Sequence, residues 1–210
     1  MPNWTCNTWS IEGDDAVLDT VRAALRGKLF DFNRIIPTPK ELERSQSPLE
    51  VVPTQEEADE INASWREKAI KFNWPDQDPE IIVAITEEER DRRIAKHGAV
   101  DWYGFRNKRW STKWPGSELE ILCNEPERLV IRFNTAWSPP LAIVDHIESL
   151  GLQVYGGGIY ESGSEFELIG SDESAFLERF AVIQTTEADG DYTWSYRSIS
   201  WIGKPQPVTA

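Results

Sequence analysis

The sequence predicts an α+β fold in which an antiparallel sheet carries its helices on one face. Three observations support this. Segments of period-two alternation and segments with helical spacing of apolar residues succeed one another as β-α-β and then β-β-α-β-β. Gly, Pro and Asn-rich stretches separate them at turn-like intervals. A chain of 210 residues that is 40% hydrophobic, with ten Trp, can bury a real core in one large domain or two small ones.

The elements follow in order. Thr5, Asn7, Trp9 and Ile11 alternate with Trp4, Cys6 and Thr8, which is strand patterning ending at Gly13. Asp14 and Asp15 can cap a helix whose stripe is Val17, Leu18, Val21, Ala24 and Leu25, with Gly27 as its stop. Residues 29–36 read as a second extended segment, broken by Pro37 and Pro39. Residues 55–72 place Ala58, Ile61, Trp65, Ala69 and Phe72 on one helix side. A turn over 75–79 follows, then a helix over 86–97 opened by Thr86-Glu87-Glu88-Glu89, which has capping-box chemistry. Residues 119–122 and 129–133, joined by Asn124-Glu125-Pro126-Glu127, read as a hairpin. Ser138 is expected to cap a helix with Pro139 and Pro140 in its first turn, a stripe of Leu141, Val144, Ile147 and Leu150, and a stop at Gly151. Strands over 152–160 and 165–169, a short helix over 173–180 and a closing strand over 192–202 complete the reading. Residues from Pro205 onward are expected to fray.

Charge divides the chain further. Twenty-two Lys and Arg against 36 Asp and Glu leave a formal net charge of −14. Residues 1–36 are nearly balanced, with four basic and five acidic side chains, whereas 40–93 hold eight basic and fifteen acidic. That stretch reads as an acidic helical insertion over 40–97, dividing a core made of 1–39 and 98–210. Residues 96–116 reverse sign, five basic against Asp101 alone, and 117–210 return to five basic against fifteen acidic. An acidic body repels phosphate, because nucleic-acid affinity draws on counterion release onto Lys and Arg. Direct binding of duplex DNA is therefore disfavoured. No apolar run approaches the roughly 18 residues that cross a bilayer. Met1-Pro2-Asn3-Trp4 lacks the layout of a secretion signal, so a soluble, cytoplasmic protein without membrane contact is expected.

Candidate chemistry is sparse. Cys6 and Cys123 lack the number and spacing of a disulfide framework or a zinc site and read as buried thiols. His97 and His146 are the whole histidine supply, without a partner at catalytic or metal spacing. No catalytic set, metal site or cofactor is assigned. Gly156-Gly157-Gly158 lacks phosphate-loop spacing and reads as a strand bulge or bend. Glu161, Glu165, Glu167 and Asp172 offer oxygen ligands to a divalent cation, or a carboxylate pair for acid-base work; a solvent-facing acidic edge that discourages strand pairing accounts for them equally. The segment 102–114 interleaves Trp102, Tyr103, Phe105, Trp110 and Trp114 with Arg106, Lys108, Arg109 and Lys113. That composition suits stacking of single-stranded nucleic acid or a nucleotide, and it also suits a core with snorkelling cations.

Four stretches together carry a family likeness: Met1-Pro2-Asn3-Trp4 with Asn7 and Gly13; Ile35-Ile36-Pro37-Thr38-Pro39; Asp101-Trp102-Tyr103 with Trp110-Ser111-Thr112-Lys113-Trp114; and Phe133-Asn134-Thr135-Ala136-Trp137-Ser138-Pro139-Pro140. They resemble the YubB-like family of plasmid and phage proteins. The resemblance covers most of the chain outside 40–97 and implies a ferredoxin-like domain and a mobile-element origin, and it implies no reaction. Ser111 and Glu167 stand where that family usually has glycine.

The functional expectation is a non-enzymatic interaction protein that binds a host protein or protein–nucleic acid complex through an acidic surface. Glu56, Glu57, Asp59, Glu60, Glu87, Glu88 and Glu89 are its contact residues, and inhibition of a host defence nuclease by phosphate mimicry is one form it can take. The alternative is a binder of single-stranded nucleic acid or a nucleotide acting through Trp102, Tyr103, Arg106, Lys108, Arg109, Trp110, Lys113 and Trp114.

Overall fold

The computed structural model describes residues 3–72, 78–169 and 176–179. Strand β1 (Trp4–Glu12) opens the chain and α1 (Asp15–Arg22) follows, capped by Asp14, whose carboxylate accepts from the Ala16 and Val17 amides. Two-residue strands β2 (Leu25–Arg26) and β3 (Leu29–Phe30) form a small ribbon. Next come α2 (Lys40–Glu43), β4 (Ser45–Val52), α3 (Gln55–Phe72), β5 (Ile82–Thr86), α4 (Glu87–His97) and α5 (Trp102–Trp110). The hairpin β6 (Ser117–Glu125) and β7 (Arg128–Ala136) leads into α6 (Leu141–Ser149), then β8 (Gln153–Tyr160), β9 (Glu165–Ile169) and β10 (Phe176–Arg179).

The α+β class holds. Six strands form one sheet in the order β10-β9-β8-β1-β7-β6, with every neighbouring pair antiparallel. Period-two patterning sorts its faces: Thr5, Asn7, Trp9 and Ile11 of β1 are fully buried, while Cys6, Thr8 and Ser10 on the other face are half-buried. Leu129, Ile131 and Phe133 of β7 join the buried side, covered by Leu18 and Val21 of α1 and by Ile143, Val144 and Ile147 of α6. At its centre Trp9 meets Phe133 edge-on at 4.8 Å, and Phe30 stands 5.2 Å from Phe133 and 5.0 Å from Phe32. Edge-to-face pairs of this kind add about 0.5–1.5 kcal/mol each beyond their burial.

Several expectations are corrected. Residues 29–36 are not extended throughout: β3 ends at Phe30 and Phe32–Arg34 is one 3₁₀ turn, because Asp31 caps the Asn33 amide. Ser138 does not cap α6. Its hydroxyl donates to the Ser111 carbonyl, and the Ala142 amide donates to Ser111 Oγ at 3.1 Å, so the capping oxygen arrives from another segment. The buried stripe of α6 runs through Ile143, and Leu150 is exposed. On α3, Ala58 and Ala69 are buried but Phe72 is exposed. Gly156-Gly157-Gly158 forms no bulge; β8 pairs with β1 in continuous register from Thr5↔Tyr160 to Glu12↔Gln153. The expected helix over 173–180 is replaced over 176–179 by β10, where pairing of Phe176 with Leu168 and Arg179 with Glu165 satisfies the edge of β9. The remainder of that helix, Asp172, most of the 75–79 turn, the strand over 192–202 and the terminal residues lie outside the described residues.

The segment 40–97, expected as a helical insertion, holds strands as well as helices. Between α2 and α4 runs a β-α-β unit, with β4 and β5 parallel and α3 as the crossover. Val52, Ala58 and Ala84, with Ile61 against them, make its own minor core. Asn62 secures the crossover by accepting from the Val83 and Ala84 amides and donating to the Ala84 carbonyl.

Candidate functional site

The parallel register brings the two acidic clusters together. Val52 pairs with Thr86, so β4 and β5 end side by side, and α3 and α4 start from the same edge. Glu56, Glu57, Asp59 and Glu60 leave it on α3, and Glu87, Glu88 and Glu89 on α4. Thr54 Oγ1 accepts from the Glu57 amide at 3.3 Å and Thr86 Oγ1 from the Glu89 amide at 3.2 Å, which fixes both helix starts. Glu56, Glu57, Asp59, Glu60, Glu87 and Glu88 are exposed, and among the described residues none is held in an ion pair. A helix N-terminus carries about +0.5 charge. Two of them offset about one of these six carboxylates, and the edge stays strongly negative.

Glu89 behaves differently and leaves the set. Its carboxylate receives Arg92 at 2.7 Å and Arg93 at 2.8 Å, and these guanidinium groups, Arg92 foremost, hold its pKa down to about 2. Glu41 on α2 forms a matching node, taking Arg92 at 2.8 Å, Lys96 at 3.0 Å and His97 Nε2, with its pKa lowered to about 2 chiefly by Arg92 and then His97. The node ties α2 to α4 and engages His97. Both carboxyls titrate near 4.5 when the chain is unfolded and near 2 when folded. Their contribution to stability is therefore complete above pH 4.5 and is lost as pH falls toward 2. The melting temperature is expected to drop across that window. Glu41→Gln should lower it at pH 7 and flatten the drop, which a thermal-melt series from pH 7 to 2 measures.

The aromatic and basic segment is divided by the structure. Asp101 caps α5 by accepting from the Gly104 amide at 2.7 Å, a helix that periodicity did not reveal. Phe105 and Trp110 face the core, and the Trp110 indole N–H donates to the Ile36 carbonyl at 2.9 Å. Arg106 lies between Trp102 and Trp110, 5.1 and 4.7 Å from their rings, with Glu43 at 3.7 Å and Thr38 at 3.2 Å; burial lowers its pKa. It joins α5 to α2. Trp102 and Tyr103 are half-buried, and Lys108 and Arg109 are exposed. This half of the segment packs the fold.

Its other half faces outward in company that spacing could not show. Lys113 Nζ lies 4.1 Å from the Trp114 ring and 4.0 Å from the Trp137 ring, and Trp4 stands 6.3 Å from Trp114. Trp4, Trp114 and Trp137 are 38%, 37% and 48% exposed. Ser111 and Trp137 adopt φ 62 and 71, the left-handed region that non-glycine residues rarely enter, at a cost of about 1–3 kcal/mol each. Hydrogen bonds hold the two loops in place: Thr112 Oγ1 to the Ala136 carbonyl at 2.9 Å, Thr135 Oγ1 to the Ser138 carbonyl at 2.8 Å, and the Trp137 amide to the Asn3 carbonyl at 2.8 Å. Beneath them Asn7 donates to Thr135 Oγ1 at 3.0 Å. Both Asn7 Oδ1 and Thr5 Oγ1, on fully buried residues, lack a hydrogen-bond partner among the described residues. Trp4 and Trp137 were not among the expected site residues. The signal was available in the Pro-Asn-Trp and Thr-Ala-Trp-Ser stretches, but nothing in the sequence joined them.

Glu161 accepts from the Trp4 amide at 2.7 Å, and Glu165 pairs with Ile159 and Arg179 in the sheet. Among the described residues no three His, Cys, Asp or Glu groups gather as a metal site, and no helix is long and apolar enough to cross a membrane. Cys6 and Cys123 are free thiols and half-buried rather than buried, with burial raising the pKa of Cys6. The chain matches no known family profile, no curated protein and no solved structure.

Proposed function

We propose that the chain is a non-enzymatic interaction protein whose acidic edge engages a cationic surface on a host protein or protein–nucleic acid complex. One observation supports it above the others: two carboxylate clusters, about thirty residues apart in sequence, leave the same end of a β-α-β unit with six side chains exposed and free of ion pairs among the described residues. Carboxylates displayed together on a rigid edge suit a site built for phosphates, and steering by such a field raises association rates about 10- to 1,000-fold. Inhibition of a host defence nuclease or nucleic-acid-binding complex is the form this takes in our reading.

The scaffold belongs to the same proposal. The succession β1-α1-β6-β7-α6-β8, with β8-β1-β7-β6 as neighbours, supports a ferredoxin-like unit carrying β9 and β10 as added strands. A mobile-element origin and action in the cytoplasm complete the proposal, and they rest on the YubB-like resemblance. Capture from host lysate on the immobilised chain tests the reading. A partner should be retained at 50 mM salt and released at 500 mM, since the Debye length falls from about 14 to about 4 Å over that range. Retention indifferent to salt argues against it.

A further inference from the structure

We infer that Trp4, Trp114 and Trp137, with Lys113 between them, form a platform on which single-stranded nucleic acid stacks its bases while one phosphate meets the Lys113 ammonium. This goes beyond the acidic edge and stands independently of it. Three partly exposed indoles from three separate segments gather about one cation: Trp4 stands 6.3 Å from Trp114, and Lys113 Nζ bridges Trp114 and Trp137. Trp137 is held there at φ 71, a conformation a bulky side chain adopts only when its surroundings impose it. The loops that bear Trp114 and Trp137 are joined through Ser111, Thr112 and Ser138, so the rings are ordered in advance.

The chemistry selects the ligand. Indole faces accept any planar base without reading its edge. Among the described residues Lys113 has no carboxylate at ion-pair distance; its ammonium rests against the Trp114 and Trp137 rings at 4.1 and 4.0 Å, contacts that leave N–H groups to meet a phosphate beside the rings. A neutral sugar would use the rings and leave the ammonium unmatched. A long duplex would meet the acidic body without presenting its base faces. A short single strand, contacting through a few bases and one phosphate, uses both features.

The test is fluorescence anisotropy with a fluorescein-labelled octamer of deoxythymidine and, in parallel, an abasic octamer of equal charge. The thymidine octamer should give saturable binding with Kd at or below about 1 mM, and the abasic strand should bind at least about fivefold more weakly, one stack's worth. Trp114→Ala and Trp137→Ala should each weaken binding about 5- to 150-fold. Trp137→Leu, which keeps an apolar cover but no ring, should do the same if the alanine variant is unstable. Lys113→Met preserves the stem, and the slope of log affinity against log salt should differ from the parent's by about 0.7, one phosphate on a single strand. Equal affinity for the abasic strand, affinity unchanged in the ring variants, an unchanged salt slope in Lys113→Met, or binding to neutral phosphatidylcholine vesicles in place of the octamer would overturn the inference.

Discussion

Replacing Glu56, Glu57, Glu87 and Glu88 together by lysine is expected to weaken capture of the partner by at least about 100-fold, combining lost steering with repulsion at contact. Each replacement changes the charge by two, so the six-carboxylate edge moves from −6 to +2 and the chain from −14 to −6. Removing attraction slows encounter, and like charges juxtaposed at an interface cost more than the absence of a bond. These side chains are exposed and none has an ion-pair partner among the described residues, so no packing or salt bridge is lost. Lysine in the first turn of a helix does oppose the dipole, at about 0.3–1 kcal/mol per site. The neutral set Glu56→Gln, Glu57→Gln, Glu87→Gln and Glu88→Gln separates the two effects. It should fold as the parent does and lose a smaller factor, on the order of tenfold. Biolayer interferometry against the captured partner, with circular dichroism of each variant, checks both. By contrast Glu89→Gln should lower the melting temperature through Arg92 and Arg93 and leave the association rate nearly unchanged, since that carboxylate is already compensated.

The largest loss of stability is expected at Gly158. A Cβ there would lie 2.1 Å from the Cys6 carbonyl oxygen and 2.6 Å from the Phe166 ring, contacts that real methyl groups do not make. The clash falls on backbone in the central β1–β8 ladder as well as on a buried ring, so it cannot be relieved by turning a flexible side chain. Gly158→Ala should therefore cost at least about 2 kcal/mol, and Gly158→Val should prevent folding. Gly156 meets the same obstacle, with φ 148 and a Cβ position 2.1 Å from the Thr8 carbonyl oxygen. Gly163, at φ 86 in the β8–β9 turn with open space around it, should lose only the smaller amount that left-handed strain imposes. Urea denaturation of the three alanine variants orders them.

The glycines also show which parts of the fold were legible. Elements whose evidence is local were read well: β1 from its alternation, the start of α1 from Asp14, α4 from Thr86, and the hairpin from Asn124-Glu125-Pro126-Glu127; the end of α1 was not, since the helix stops at Arg22 and Leu25 belongs to β2, short of the expected stop at Gly27. Elements whose evidence is a partner were not. Among the described residues Ser45–Val52 and Ile82–Thr86 gain their ladder from each other, across α3, so neither announced itself as a strand. Phe176–Arg179 is a strand because β9 presents an unpaired edge. Gly156 and Gly158 look like a flexible bend in one dimension, whereas in three they admit the backbone of β1 and the ring of Phe166. The site divides the same way. Charge counting located the two acidic clusters, and only the parallel register Val52↔Thr86 joined them. Counting could not reveal that Glu89 is neutralised by residues one turn on, or that Lys113 would find Trp137 rather than the preceding Trp110.

Competition for the partner between the chain and a DNA duplex tests the central claim most directly. With partner retained on the immobilised chain, added duplex should displace it, and the apparent Kd should rise in proportion to duplex concentration, because carboxylates and phosphates occupy the same cationic site. A stable ternary complex, in which duplex binds the partner while its affinity for the chain is unchanged, would contradict it.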